Sequence, residues 1–295
     1  MEKVNCSICG SDKSKKQYEV KGFNVNRCDD CGFFYINPRY SQEELNNLYS
    51  EDYFKAFSTQ RKVDYMKDRE FRAKDFQTRL EGIKRYKKAG RVLDVGCAAG
   101  FFLEVVQKQG WQACGVELSD YAASFARNEL KLNVRTGELA AAKFEPGYFD
   151  VITFFDVIEH VGNPKGLVAE ANRILKDDGL IVITTPNIDS FCARAFKDRF
   201  HLLDPLHLSY FSPKTLEKLL KAEGFKIVKI EYPYFKTPYF NAKELSRLTW
   251  NLLLLKMIYP IARVFNKNNG RMHQGIRSYS FYANMMCVYA VKGAK

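Results

Sequence analysis

Four cysteines near the N-terminus are spaced as the ligands of one metal ion. The four residues are Cys6, Cys9, Cys28 and Cys31. They form two C-x-x-C pairs, and each pair is followed by a glycine, which suits a tight turn that aims two thiolates at one ion. Four thiolates fill a tetrahedral site and leave no position open for catalysis, so the spacing predicts structural zinc. A thioredoxin-like redox site would instead need a single C-x-x-C between a strand and a helix.

A second set of residues could hold a ligand that contains ribose. In the stretch RVLDVGCAAGFFLEVV at 91–106, an apolar run ends in Asp94, small residues follow, and the sequence becomes apolar again. Small residues such as Gly96 and Gly100 let a ligand lie against the backbone, and the next helix adds a positive dipole at its N-terminus. Glu117 ends the following apolar run, where a carboxylate can accept hydrogen bonds from both ribose hydroxyls. The pattern implies a cofactor that contains adenosine.

The elements that must position these residues alternate regularly from residue 91 onward. Strands are predicted at 91–95, 112–116, 132–135, 149–155, 179–184 and 225–231, with a last strand at 279–291. Helices are predicted at 101–109, 119–130, 164–176 and 213–223. This alternation indicates an α/β fold in which helices cover both faces of a parallel sheet. Such sheets bind ligands at the carboxyl ends of their strands.

The chain of 295 residues divides into three predicted parts. Residues 1–38 form a zinc-ribbon-like module, which is too short to bury a stable core and would take its folding free energy from the metal. Residues 39–90 form a helical linker or cap, with a capping box at Ser41 and Glu44 and a long exposed helix at 60–89. Residues 91–295 form the ligand-binding domain.

The net charge of +12 leaves the nature of the partners open. A solvated basic surface explains it, and so does an anionic partner such as RNA, an acidic membrane face or a phosphorylated substrate. The N-terminus has no apolar segment of signal-peptide length, and no uncharged apolar stretch reaches the roughly 18 residues of a membrane span. We therefore expect a cytoplasmic protein with reduced thiols. The remaining cysteines, expected to be buried, are Cys97, Cys114, Cys192 and Cys287.

Four motifs together resemble one enzyme family. They are LDVGCAAG, VELS, FDVITFFDVIEHVGNP and LKDDGLIVITTPN. The dinucleotide motif G-x-G-x-x-G and the triphosphate motif G-K-[ST] are absent from the sequence. Over 91–234 and 279–291 the chain is similar to the class I S-adenosylmethionine-dependent methyltransferases, and most of all to the branch that contains the ubiquinone-type O-methyltransferases. The resemblance implies a Rossmann-like sheet of seven strands, in which the last strand runs antiparallel beside the sixth.

The resemblance also implies which residues would hold S-adenosylmethionine. They are Asp94, Gly96, Cys97, Gly100, Phe101, Glu117, Leu118, Glu138, Leu139, Phe155 and Asp156. One position departs from the family, because Ala98 stands where a glycine is usual. If that position needs a positive φ, alanine costs about 1 kcal/mol.

Methyl transfer to a hydroxyl would use a base, and three histidines follow strands of the predicted sheet. His160, in VIEHVGNP after the fourth strand, is the first candidate for the base. His207 and His201, after the fifth strand, are alternative candidates. Two other roles stay open: His160 as a support of the cofactor pocket, and a metal ion between the histidines and Asp156.

Residues 235–277 interrupt the domain before its last strand with an amphipathic, basic pattern. They could form a lid over the acceptor, dock peripherally on the inner membrane face through 245–267, or form a dimer helix. We expect methylation of a small-molecule, glycan or lipid-linked acceptor at oxygen. One alternative is an RNA methyltransferase whose zinc module recognises RNA, although that module lacks the interleaved aromatics and arginines of an RNA platform. The other is a non-catalytic cofactor-binding protein.

Overall fold

Two sheets organise the part of the protein that the computed structural model describes, which comprises residues 1–41, 44–45, 69–232 and 284–293. The strands are β1 (Ser14–Val20), β2 (Phe23–Cys28), β3 (Phe34–Ile36), β4 (Arg91–Val95), β5 (Gln112–Glu117), β6 (Val134–Thr136), β7 (Phe149–Phe155), β8 (Leu175–Pro186), β9 (Ser209–Tyr210), β10 (Phe225–Glu231) and β11 (Met285–Lys292). The helices are α1 (Arg69–Lys84), α2 (Phe101–Lys108), α3 (Asp120–Asn128), α4 (Pro164–Ile174), α5 (Phe191–Phe196) and α6 (Pro213–Ala222).

The larger sheet has seven strands in the order β10-β11-β8-β7-β4-β5-β6. The pairs from β8 to β6 are parallel, whereas β11 runs antiparallel to both β8 and β10. The strand order reverses between β4 and β7, because β5 and β6 continue to one side and β8 to the other. Ligands bind to such sheets at the carboxyl ends of the strands beside this switch point. The predicted α/β fold with an antiparallel last strand is confirmed.

Side chains along the inner strands alternate between the two faces of this sheet, as the pleat requires. Val92 and Val151 face a core that includes Leu80 of α1 and Phe102 of α2. On the opposite face, Leu93 belongs to a second core. Helices therefore cover both faces, and the strand ends are left to build a site.

Local capping explains where several helices begin. Ser119 and Ser212 accept hydrogen bonds from backbone N–H groups in the first turns of α3 and α6. Asn163 does the same for α4, and Pro164 fills its first position. These are groups that a helix leaves without intrahelical partners. The capping box predicted at Ser41 is also present, since its N–H donates to Glu44 Oε2 over 2.7 Å.

The smaller sheet joins the N-terminal segment to the larger domain. Its strand order is β1-β2-β3-β9, so three strands come from the N-terminus and the fourth lies beyond residue 200. Cys6, Cys28 and Phe33 share one continuous core with Leu93 of the large sheet. We refer to residues 1–41 as the cysteine module. The division of the chain at residues 38 and 90 stays a prediction.

Most predicted elements of the large sheet are confirmed, with shifts at their ends. The main shift is at β8, which begins at Leu175 rather than 179 and shortens the preceding helix, because Leu175 is extended and pairs with Phe149. Strands β1, β2, β3 and β9 and helix α5 were not predicted. The first part of the helix expected at 60–89, the start of the last strand and the insertion at 235–277 lie outside the described residues. Within the described residues, no helix is both long enough and apolar enough to cross a membrane.

Candidate functional site

The four cysteines of the cysteine module converge as a candidate metal centre. Their Sγ atoms all lie within 4.8 Å of one another. Cys6 and Cys31 are 3.4 Å apart at sulfur, and Cys9 and Cys28 are 3.6 Å apart. A tetrahedral zinc ion with bonds of about 2.3 Å separates its sulfurs by about 3.8 Å. The donor set and its spacing therefore fit a zinc ion.

Two matching turns bring the sulfurs together. The glycine after each cysteine pair has a positive φ, 78° at Gly10 and 76° at Gly32. The Gly10 N–H donates to the Cys6 carbonyl over 2.8 Å, and the Gly32 N–H donates to the Cys28 carbonyl over 3.0 Å. Both predicted glycine turns are confirmed. The other four cysteines are free and buried, also as predicted.

The loop between β4 and α2 is built around positive φ angles. Gly96 has φ 70° and Gly100 has φ 80°. A Cβ at Gly96 would lie 2.5 Å from Val157 Cγ2, and one at Gly100 would lie 2.6 Å from Leu132 Cδ1. Ala98 also has a positive φ, 49°, so the backbone conformation for which glycine is suited is present at that position.

Glu117, at the end of β5, holds this loop through its carboxylate. Its Oε2 accepts from the Ala98 N–H over 2.8 Å, and its Oε1 accepts from the Ser119 N–H over 2.9 Å. Each carboxylate oxygen has a second lone pair and can accept a ligand hydroxyl as well. Burial raises the pKa of Glu117, and the two backbone donors oppose that shift.

Asp94 is a second buried acid at the same edge of the sheet. Its side chain lies beneath the loop, and its Oδ1 accepts from the Thr153 hydroxyl over 2.6 Å. Burial raises the pKa of Asp94 to about 7, and the hydrogen bond from Thr153 and the charge of Arg79 oppose this. A ligand with positive charge would stabilise both carboxylates, and S-adenosylmethionine is such a ligand. The residues present therefore fit that cofactor.

The remaining residues implied for the cofactor surround the ends of β4 to β7. Leu118 is exposed immediately after β5, and Leu139 is buried beyond the end of β6. The Gly137 N–H donates to the Glu117 carbonyl over 2.8 Å, which brings the end of β6 to Glu117. Glu138 is exposed, Cys97 and Phe101 are buried, Phe155 is half-buried and Asp156 is exposed. Their roles as cofactor ligands stay predictions.

Arg79 is a residue at this edge that the sequence did not single out. It lies on α1, and its Nη1 donates to Thr184 Oγ1 over 3.3 Å. Its guanidinium carbon lies 4.7 Å from the centre of the Phe155 ring. Thr184 in turn donates to Asp156 Oδ1 over 2.8 Å. Arg79 was one of many basic residues in a helix expected to be exposed, and no local signal distinguished it.

His160 and His207 form a pair after β7. Their ring centres are 4.6 Å apart and the rings are nearly perpendicular. His160 Nδ1 donates to the Leu206 carbonyl and His207 Nδ1 to the Leu202 carbonyl, both over 2.9 Å. Because a carbonyl can only accept, each neutral ring carries its proton on Nδ1 and its lone pair on Nε2.

Glu159 completes a cluster with these two histidines. One ligand atom from each of Glu159, His160 and His207 lies within 4.8 Å of the others, and Asp156 is not a member of that group. Glu159 is buried, and its Oε2 accepts from the Thr185 hydroxyl over 3.0 Å. Glu159 was not predicted as a site residue, although its place beside His160 in the sequence was a signal. His201 is exposed, with its ring against Phe200 rather than in the cluster.

The electrostatics of this cluster favour neutral forms. Burial, followed by the neighbouring His207, lowers the pKa of His160 to about 3. Burial, followed by the charge of Asp156, raises the pKa of Glu159 well above its usual range. The His160 ring is therefore neutral at physiological pH.

Residues 65–230 match the model of a protein family described as a methyltransferase domain. The match spans more than half of the chain and contains the Asp94 loop, Glu117 and the histidine cluster. The chain belongs to this methyltransferase family. The predicted enzyme class, an S-adenosylmethionine-dependent methyltransferase, is confirmed by this domain match.

Two curated relatives of this protein are themselves named as methyltransferases. A Mycolicibacterium smegmatis protein named "Probable S-adenosylmethionine-dependent methyltransferase" is 27% identical over 144 residues, which cover 48% of this chain and 54% of the relative. A ubiquinone biosynthesis O-methyltransferase of Methylococcus capsulatus is 35% identical over 106 residues, which cover 34% of this chain and 45% of the relative. The chain thus spans about half the length of these two curated relatives.

A solved structure shares the fold of this methyltransferase. It is the crystal structure of an S-adenosylmethionine-dependent methyltransferase from Archaeoglobus fulgidus, with a TM-score of 0.54 and 22% identity. The likeness covers 81% of this chain and all of the other chain. At this identity it supports the fold alone.

Proposed function

We propose that this methyltransferase binds S-adenosylmethionine at the ends of β4 and β5 and methylates an oxygen of an acceptor held beside His160 and His207. The observation that carries the proposal is the histidine pair with both Nδ1 atoms bound to backbone carbonyls. The loop that contains His160 follows β7, which lies next to β4 at the switch point of the sheet. An acceptor at the histidines would thus be close to a cofactor at Asp94 and Glu117.

The cofactor half of the proposal depends on charge and on backbone access. S-adenosylmethionine supplies a methyl group that its sulfonium has already activated. Glu117 would accept hydrogen bonds from the ribose, and Asp94 would stabilise positive charge in a site where it is buried. The small residues 96–100 would let the cofactor lie against the backbone.

The acceptor half depends on the lone pairs of the histidine Nε2 atoms. Such a lone pair can accept the hydrogen bond of an acceptor hydroxyl, orient its oxygen and take its proton as the new C–O bond forms. We assign this role first to His160 and next to His207. The exposed His201 is the weakest of the three candidates, because it lies outside the pair.

One observation favours a second role for the same residues. Glu159, His160 and His207 could hold a divalent cation, since their ligand atoms lie within 4.8 Å of one another. Histidines that bind metals commonly donate the other ring N–H to a backbone carbonyl, as both of these do. A cation there would lower the pKa of an acceptor hydroxyl, and His160 would then serve as a metal ligand rather than as the base.

The class of acceptor is drawn from the resemblance. A relative named a ubiquinone biosynthesis O-methyltransferase supports transfer to oxygen, and we propose a small-molecule, glycan or lipid-linked acceptor.

The cysteine module would hold structural zinc at its four cysteines. Eight free cysteines are typical of a reducing compartment, which supports a cytoplasmic protein. RNA as the acceptor is the alternative, because the chain carries a net charge of +12.

The test follows a labelled methyl group. The full chain is incubated with methyl-labelled S-adenosylmethionine and an extract of the source cells, with and without ribonuclease, and the Glu117→Ala variant serves as the control. We expect label in a small-molecule, glycan or lipid fraction that survives ribonuclease. Label that ribonuclease removes would establish an RNA acceptor. A chelator and added divalent cations in parallel samples distinguish the simple base from the metal-assisted role.

A further inference from the structure

The cysteine module pairs directly with the segment that contains His207. Strand β3 runs antiparallel to β9, with Phe34 opposite Tyr210 and Tyr35 opposite Ser209. The Ile36 N–H also donates to the Leu208 carbonyl over 3.0 Å. Residues 208–210 are therefore an edge of the module's own sheet.

The same segment is bound on its other side by the methyltransferase domain. The Ser209 N–H donates to the Glu159 carbonyl over 3.0 Å, and the Ile188 N–H donates to the Phe211 carbonyl over 3.0 Å. Residues 208–211 thus lie between the module and the loop that contains His160. A change in the module can reach that loop through this short stretch of backbone, and also through Arg39, whose Nη1 donates to the Gly162 carbonyl over 2.7 Å.

Tyr210 connects this stretch to the histidine pair. Its buried hydroxyl donates to the Asp204 carbonyl over 2.8 Å and accepts from the Asp204 N–H over 3.2 Å. The His207 N–H donates to the same Asp204 carbonyl over 2.9 Å. The carbonyls that fix the two imidazoles, those of Leu202 and Leu206, flank Asp204 in the same turn. The turn therefore sets the tautomer and orientation of both rings.

The metal centre lies at the opposite end of these contacts. The Cys28 N–H donates to the Phe33 carbonyl over 2.8 Å, and the Phe33 ring lies 5.1 Å from the ring of Phe211. Phe33 and Phe211 are both fully buried. A module of this size depends on its metal for a fixed fold, so loss of the metal would release β3 and with it β9.

The cofactor loop is held differently. Glu117, Val157 and Leu132 contact residues 96–100, and all three belong to the part of the chain after residue 90. Metal in the module can therefore affect one half of the site and leave the other intact.

We propose that the zinc-loaded cysteine module is a positioning device for the acceptor side, which fixes His160 and His207 through the β3–β9 pair and Tyr210. The inference deepens the proposed function and rests on it for the role of the histidines. Loss of zinc would turn off acceptor methylation while cofactor binding persists. Tyr210 and Phe34 act here as positioning residues, since they work through the histidine turn.

The first experiment removes zinc from the full chain with a chelator and, separately, by Cys9→Ser. Hydrogen exchange at the amides of 201–211 should accelerate about tenfold or more, whereas the Kd for S-adenosylmethionine changes by less than about threefold. Cys114→Ser is the matched control, because Cys114 is a buried cysteine of β5 outside the metal centre. It should keep its zinc and its slow exchange. Unchanged exchange after zinc removal, or loss of cofactor binding together with it, would overturn the proposal.

A second experiment keeps the zinc and breaks the connection with Tyr210→Phe. The four histidines of the chain give a simple ¹⁵N NMR spectrum of their rings. In the variant and in the zinc-free protein, His160 and His207 should shift from the Nδ1–H form to a tautomer mixture. Fixed tautomers in both samples would contradict the positioning role.

These readouts need no acceptor, so the inference and the proposed function can fail separately. If the tautomers are lost but the labelled-methyl assay still gives the normal rate, the histidines are positioned by the module yet do not serve the acceptor. If the rate falls in Tyr210→Phe with zinc content and cofactor affinity unchanged, both proposals are supported.

Discussion

Glu117 and His160 lie at the same edge of one sheet. The partners of Glu117 are close to it in sequence, whereas the partners of His160 are far from it in sequence. Glu117 contacts the N–H groups of Ala98 and Ser119, both within twenty residues. His160 is fixed by Leu206, whose turn depends on Tyr210 and, through β9, on Phe34. The contacts of Glu117 are thus local, whereas those of His160 join three separated segments of the chain.

The difference has a physical consequence. The contacts of Glu117 are complete once β4 and β5 pair, and those of Asp94 and Gly96 once Thr153 and Val157 are in place. All of these residues belong to the methyltransferase domain. The acceptor side is complete only when the cysteine module has docked, so its order depends on contacts of long sequence separation. We expect changes in one half of the site to leave the other half largely unaffected, and each prediction below tests that separation.

The largest effect is expected for His160→Ala. Removing the imidazole takes away the lone pair proposed to take the acceptor proton, so turnover should fall roughly 10²–10⁴-fold. Cofactor affinity should stay unchanged, because the imidazole is bound to the Leu206 carbonyl and packs against His207, outside residues 94–100. The measurement is single-turnover methyl transfer alongside calorimetric titration with S-adenosylmethionine.

His201→Ala is the matched control for that variant. It removes a histidine from the turn that binds His160, but from an exposed position outside the pair. Its turnover should stay near normal. Normal turnover in His160→Ala, or an equal loss in both variants, would remove His160 from the role of base.

The reverse selectivity is expected for Glu117→Ala. The change removes the acceptor for two backbone N–H groups and for the proposed ribose hydrogen bonds, so cofactor binding should weaken by roughly 1–3 kcal/mol. Glu129→Ala, an exposed acid at the end of α3, should bind normally. The tautomers of His160 and His207, measured by ¹⁵N NMR, should not change in either variant. If the Glu117 change alters them, the two halves are coupled and the comparison is wrong.

The same difference in the sequence separation of contacting residues explains which elements could be predicted from the sequence. Strands β4 and β7 were predicted to the residue, at 91–95 and 149–155, because each is an apolar run whose ends are marked by local signals. A positive φ at position 98 was considered because the resembling family usually has glycine there, and Ala98 does have a positive φ.

Strand β9 shows why the rest was out of reach. It has only two residues, Ser209 and Tyr210, and it is a strand because Phe34 and Tyr35 pair with it from the N-terminus. No period or cap within 201–211 encodes that partner. From the sequence, His160 and His207 were placed on the ligand side of the sheet. Their pairing and the presence of Glu159 were not predicted, because His207 is far from the other two residues in sequence.

A smaller effect is expected from pH. The pKa of Asp94 is about 7 in the free protein because of burial, and a cationic cofactor lowers it by favouring the carboxylate. Binding therefore releases a proton below pH 7, so affinity should rise with pH by up to about tenfold per unit and level off above pH 7. Burial also raises the pKa of Glu117, which adds to the slope at lower pH.

The pH experiment measures the Kd between pH of about 5.5 and 7, below the range of about 7.7–8.0 in which an α-amino group loses its proton. Asp94→Asn should bind more weakly and show a flatter profile. A profile that is equally steep in this variant would show that another group takes up the proton.

The smallest effect is expected for Ala98→Gly, and it tests the cofactor loop alone. Ala98 has φ 49°, where an L-residue with a Cβ is strained by roughly 1–2 kcal/mol. Glycine relieves that strain, but it also makes the unfolded chain freer by about 0.4–1 kcal/mol. The net change should therefore be a gain of about 0.5–1 kcal/mol in the free energy of unfolding, measured by denaturant titration.

Ala99→Gly is the neighbouring control. Ala99 is fully buried and is not among the residues with positive φ, so the same substitution should destabilise the protein. Opposite signs at adjacent positions would show that the conformation of this loop, and not its composition, sets the cost of alanine, whereas a loss of stability in both variants would mean that the Ala98 methyl group contributes packing that outweighs the strain.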